Sequence, residues 1–78
     1  MSQAQELCRA LNLLAKSPQF GYQKARAAAR QDPNVDWTQT KAHNDDFNPE
    51  VDGCESFVMR DRSVCSWISA RAVYVARQ

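Results

Sequence analysis

Glycine is nearly absent from the chain, at two residues in 78, Gly21 and Gly53. Phosphate-cradling loops and dinucleotide fingerprints need several glycines at fixed spacing to bring backbone amides to a ligand, so both are excluded. No Ser motif of the strand-to-helix elbow type is present either. Histidine occurs once, at His43 beside Asp45 and Asp46, in a polar stretch that has the character of a loop. A general base needs a nucleophile or electrophile held within hydrogen-bond reach, and neighbours in sequence do not supply that geometry. A chain this short also has little room to enclose a substrate pocket beside its core. The expectation is a protein that is not an enzyme.

Long apolar runs are missing as well. No segment approaches the roughly 18 consecutive apolar residues needed to span a bilayer, and the first 16 residues alternate polar and apolar rather than forming a signal-peptide core. The expectation is a soluble, cytoplasmic protein without a membrane partner. Three cysteines, Cys8, Cys54 and Cys65, lack the dense spacing of a disulfide framework and fit reduced, buried, small apolar thiols. With His43 they number four potential zinc ligands. No close Cys-x-x-Cys pair orients two thiolates from one turn, so zinc is not expected. The oxygen-rich run Asp46, Asn48, Glu50, Asp52, Gly53 looks like part of a calcium loop, but with Gly53 at the sixth position the twelfth is Met59, where a bidentate glutamate is required. No metal and no cofactor are expected.

What is present is an ordinary globular composition, with charged residues near a quarter and enough large apolar side chains for one core. One domain over residues 1–78 is expected, with no repeats or linkers to divide it. Ser2 with Gln5 forms a capping box, and Ala4, Leu7, Leu11 and Leu14 recur at helical spacing, widened by Cys8 and Ala15, while Leu13 lies outside the stripe. Ser17-Pro18 is a second helix start. The Ala-rich run Gln23–Gln31 continues it, Gly21 weakens its opening turn, and Pro33 stops it near Asp32.

Past Pro33 the period changes. Trp37, Thr38 and Thr40 suggest a short strand, and residues 43–53 a polar acidic loop. Residues 55–60 and 63–69 alternate with a period of two around Asp61-Arg62, which reads as a hairpin with a two-residue turn. In that register Cys65 faces Val58 and Cys54 faces Ser69, so a Cys54–Cys65 disulfide is not expected. The last segment, Ala72 to Ala76, favours a third antiparallel strand over a helix. The fold class is therefore α+β: two N-terminal helices packed on a three- to four-stranded antiparallel sheet.

The charge is blocky despite a net of +1. Residues 1–31 carry net +4, residues 32–55 net −6 and residues 56–78 net +3. This arrangement fits internal neutralisation, an acidic loop that docks on a basic partner, or a basic second helix that binds nucleic acid. The sheet adds a second feature. Alternation puts Phe57, Met59, Cys65 and Trp67 on one face and Val58, Val64 and Ile68 on the other, and two helices cover only one face.

From these features the expected function is a non-enzymatic protein-binding module. An apolar sheet face or edge around Val58, Val64, Ile68 and Tyr74 anchors a partner, and Asp45, Asp46, Glu50 and Asp52 form its polar rim. A small regulator or inhibitor, such as a phage or mobile-element product that covers a basic nucleic-acid-binding surface, has this form, and the same face suits a homodimer. The alternative is a nucleic-acid-binding module built on Lys24, Arg26, Arg30 and Tyr22, although Lys24 projects away from the two arginines and no nucleic-acid-binding motif is present.

Overall fold

The computed structural model describes residues 1–16, 21–40 and 55–77, with the side chains of Tyr22 and Ser69 left aside. The first helix, α1, spans Gln3–Lys16 and the second, α2, spans Gly21–Arg30. Three strands follow: β1 (Glu55–Val58), β2 (Val64–Ile68) and β3 (Val73–Arg77). They form an antiparallel sheet in the order β1-β2-β3, with a single 3-10 turn at Ser69–Arg71 linking the last two. The class is α+β, and the described sheet has three strands.

α1 begins where the capping box places it. Ser2 Oγ accepts the Gln5 amide at 3.1 Å and Gln5 Oε1 accepts the Ser2 amide at 2.8 Å, so two orphan donors of the helix start are satisfied reciprocally. The hairpin between β1 and β2 reaches back to the same helix end. Asp61 Oδ2 accepts the Gln3 amide, Ser63 Oγ accepts the Ala4 amide, and Gln3 Oε1 accepts the Asp61 amide, all at 2.8–2.9 Å. A carboxylate at the positive end of a helix is electrostatically favourable, and these bonds hold the Asp61 carboxyl below its ordinary range, the Gln3 amide contributing most.

α2 opens differently from expectation. Gly21 sits at φ +68°, in the left-handed region, with open space where a Cβ would lie. Its role is conformational, since other residues resist that backbone even without a clash. The expected N-cap, Ser17-Pro18, lies outside the described residues. At its other end α2 tightens into i+3 hydrogen bonds from Gln31 and Asp32, and Asp32 accepts the Asn34 amide to start a turn through Pro33.

The strand expected at Trp37 to Thr40 is not formed. Asp36 Oδ1 accepts both the amide and the hydroxyl of Thr38, and the Gln39 amide donates to the Asp36 carbonyl, so the segment curls into a turn. These bonds also hold the Asp36 carboxyl below its usual range, with the Thr38 hydroxyl the largest cause. Just before the turn, Val35 forms an isolated bridge to Met59.

The hairpin register also differs from expectation by one residue. Phe57 faces Cys65 and Val58 faces Val64, because the loop has three residues, Arg60-Asp61-Arg62, rather than two. The Arg62 amide donates to the Met59 carbonyl, the Met59 amide to the Ser63 carbonyl, and Arg62 takes φ +73°. This is a type I turn followed by a left-handed residue, a common three-residue hairpin. Only this register sets Phe57 beside Cys65 on one face. In the two-residue alternative residues of opposite parity would pair, setting apolar side chains against the solvent side.

The core is one cluster between the helices and the inner face of the sheet. Ala4, Leu7, Cys8 and Leu11 of α1 and Ala25 and Ala29 of α2 meet Phe57, Met59, Cys65, Trp67 and Tyr74 from the sheet, with Val35 beside them. Burying each large side chain contributes roughly 1.5–3 kcal/mol. Leu13, outside the α1 stripe, remains 70% exposed.

Candidate interaction surface

The register divides the sheet sharply. On the inner face Glu55, Trp67 and Tyr74 form one row across the three strands, and Phe57, Cys65 and Ala76 the next. On the outer face the rows are Val58–Val64–Arg77, Ser56–Ser66–Val75 and Ile68–Val73. Every inner residue but Ala76 is buried, whereas Val58, Val64, Ile68, Val73 and Val75 are all half-buried. Ser56 and Ser66, opposite one another in the middle of this aliphatic surface, bond hydroxyl to hydroxyl at 2.8 Å. Ser66, at the centre of this face, is itself 2% exposed, and the mutual bond gives each hydroxyl a partner within the sheet.

Both sheet edges are occupied at defined points. Asn12 of α1 presents its side-chain amide to the backbone of Tyr74, accepting from its N–H at 2.8 Å and donating to its C=O at 3.0 Å, as a neighbouring strand would. Along β1, the Thr40 hydroxyl accepts the Val58 amide at 2.9 Å, the Asp36 amide donates to the Val58 carbonyl, and the Arg60 amide donates to the Asn34 carbonyl. An unpaired edge is a template for another chain, and these contacts blunt it. Of the two anchors considered from sequence, a sheet face or a sheet edge, the edges carry these contacts, while the five outer-face aliphatics keep partial exposure.

Three of the four apolar residues expected at the surface, Val58, Val64 and Ile68, come together on the outer face. Tyr74 does not join them. It lies on the opposite face, 2% exposed, with its ring 4.9 Å from that of Trp67. The one-residue offsets along β3 decide this: Tyr74 pairs with Trp67, so Val73 and Val75 take the outward positions. Strict alternation within Val73-Tyr74-Val75 carried that signal once Trp67 was assigned inward. The rim residues Asp45, Asp46, Glu50 and Asp52 lie outside the described residues, as do Cys54 and His43.

The basic helix is not a single charged surface. Arg26 is 3% exposed and clamps Glu55 of β1, itself 1% exposed, through Nε to Oε1 at 2.8 Å and Nη2 to Oε2 at 3.0 Å. A bidentate guanidinium–carboxylate pair satisfies both buried charges. Arg26 therefore ties α2 to the sheet and is withdrawn from any phosphate. Lys24 is exposed and Arg30 half-buried, while the Tyr22 side chain lies outside the description. Glu55 shares parity with Phe57 and Met59, so alternation points its carboxylate inward, but which cation meets it depends on where α2 packs.

The described residues hold no group of three or more side chains suited to a metal ion, and no helix among them is long and apolar enough to cross a membrane. Compared with known proteins, the chain matches no family, no curated protein and no solved structure.

Proposed function

We propose that this protein is a non-enzymatic binding module whose outer sheet face docks on another protein, in the manner of a small regulator or inhibitor. One observation carries the reading. Five branched aliphatic side chains share the face turned away from the helix-packed core, and each keeps part of its surface in water. Such a surface has the apolar centre an interface needs, with the Ser56–Ser66 hydroxyl pair already satisfied. Asp45, Asp46, Glu50 and Asp52 supply an acidic rim that orients a basic partner and speeds its encounter. A second copy of the chain is the other occupant of the same face.

The test compares the wild type with Val64→Asp and Ile68→Asp. A charge on a half-buried strand position lowers the melting temperature by several degrees but leaves the helix-packed core in place, so binding is compared at a temperature where circular dichroism shows both variants folded. Sedimentation velocity reads self-association, and affinity capture at two salt concentrations reads a hetero-partner. Loss of the complex in both variants supports the face, and a complex that tolerates both charges excludes it. Replacing the four rim acids with asparagine and glutamine is expected to remove the salt dependence. If it leaves that dependence intact, the acidic segment is not the rim.

A further inference from the structure

We propose that Cys8 and Cys65 are a redox pair that closes into a disulfide between α1 and the central strand. Their sulfurs lie 3.0 Å apart in the core. That is inside the roughly 3.5–4.0 Å at which uncharged, nonbonded atoms usually rest. A covalent S–S bond of about 2.05 Å is only about 1 Å shorter. Both thiols are buried, Cys8 at 6% exposure and Cys65 at 0%. Cys8 is on the inward stripe of α1 between Leu7 and Leu11, and Cys65 is the second residue of β2, with Phe57 and Ala76 on its flanks. Opposite placement on two rigid elements, more than fifty residues apart in sequence, makes the pair a link across the whole core. Cys8 and Cys65 are thus a coupled pair rather than two independent apolar thiols, and they lie on the inner side of the sheet, away from the docking surface.

The two sulfurs are not equivalent. Cys8 Sγ donates to Cys65 Sγ, and the contact holds the Cys8 thiol below its ordinary range, while the same bond and burial push Cys65 up. Cys8 is also the more accessible of the two, 6% exposed against 0% for Cys65, and is the first nucleophile. With a small-molecule disulfide such as glutathione disulfide as oxidant, the Cys8 thiolate attacks one of its sulfurs, forming a mixed disulfide and releasing one glutathione thiolate. Cys65 then gives its proton to water and attacks the Cys8 sulfur, expelling the second glutathione thiolate. Two cysteine thiols are oxidised by two electrons, and one glutathione disulfide is reduced to two thiols. Because both sulfurs are buried, the oxidant must enter before α1 docks or when α1 opens, so exchange is faster during refolding than on the folded protein.

The experiment refolds the reduced full chain in a glutathione redox buffer, alkylates the remaining thiols and digests with trypsin. The three cysteines fall on separate peptides, Met1–Arg9, Ala42–Arg60 and Ser63–Arg71. The expected product joins the first and third, with Cys54 alkylated. Closing so long a loop is expected to raise the melting temperature by roughly 15 °C or more over the reduced protein. Cys54→Ser is expected to keep both the link and the gain, and Cys8→Ser to lose both. Three alkylated thiols at equilibrium, a link through Cys54, or a linked protein that melts no higher than the reduced one would each overturn the proposal.

Discussion

The two faces of the sheet have nearly equal claims to being apolar, yet they are used in opposite ways. The inner face holds the large and chemically varied side chains, Phe57, Met59, Cys65, Trp67 and Tyr74, and a carboxylate, Glu55. The outer face is almost entirely valine and isoleucine around two serines. Hydrophobicity alone does not rank them. What separates them is the irregular shape that two helices present, which aromatic, thioether and thiol groups fill, whereas branched aliphatics lay down an even surface suited to another such surface. Glu55 on the sealed side makes the same point, because its burial depends on Arg26 arriving from α2 at the right place.

The inner face is most sensitive at Phe57. It is fully buried between the helices and the sheet, so Phe57→Ala is expected to destabilise the protein by about 3–5 kcal/mol in chemical denaturation. A loss under 1 kcal/mol would mean the inner face is not the core. Glu55→Ala follows, leaving Arg26 charged and unpartnered by its carboxylate, at a cost of about 3–5 kcal/mol. Replacing both members of the pair with apolar residues of similar volume is expected to recover most of that loss. On the outer face Val64→Ala is expected to cost about 1 kcal/mol or less in the isolated chain, because the side chain is only half-buried. A larger loss that grows with protein concentration would identify the covering group as a second copy.

Two backbone positions sharpen the contrast between elements and connections. Gly21→Ala is expected to destabilise by about 1 kcal/mol although nothing crowds the new methyl group, and Arg62→Gly to stabilise by several tenths of a kcal/mol, since both positions require the left-handed region. Thermal melts of the two variants should move in opposite directions. The smallest expected effect is pH-dependent. Asp61 has its pKa lowered in the folded state by the Gln3 and Ser63 bonds, so its contribution is complete above the ordinary aspartate value and is lost as pH falls through the lower folded value. Stability measured through the acid range should fall less steeply in Asp61→Asn than in the wild type.

Much of the local structure was legible in the chain. The capping box at Ser2 and Gln5, the stripe from Ala4 to Leu11, the exposure of Leu13 and a last strand, expected over Ala72 to Ala76 and formed at Val73–Arg77, follow from periodicity and end signals, because each depends on neighbours within a turn or two. Trp37 and Thr38 misled for the converse reason. Their strand propensity lost to a local competitor, the Asp36 carboxylate, which satisfies two Thr38 donors at once. Parity groups Val58, Val64 and Ile68 on one face, as the register shows, whereas Tyr74, grouped with them in the expectation, pairs with Trp67 and takes the other face.

Composition, alternation and capping thus determined by themselves that this chain makes two helices followed by antiparallel strands with apolar groups on both faces. Which face is sealed, the one-residue register of the hairpin, the withdrawal of Arg26 into the core and the meeting of Cys8 with Cys65 were decided only by the tertiary structure. The Arg26–Glu55 and Cys8–Cys65 meetings join residues tens of positions apart, and the register, though set across a short loop, is selected by which face packs; their free energy comes from desolvation and packing between elements, which no local pattern encodes.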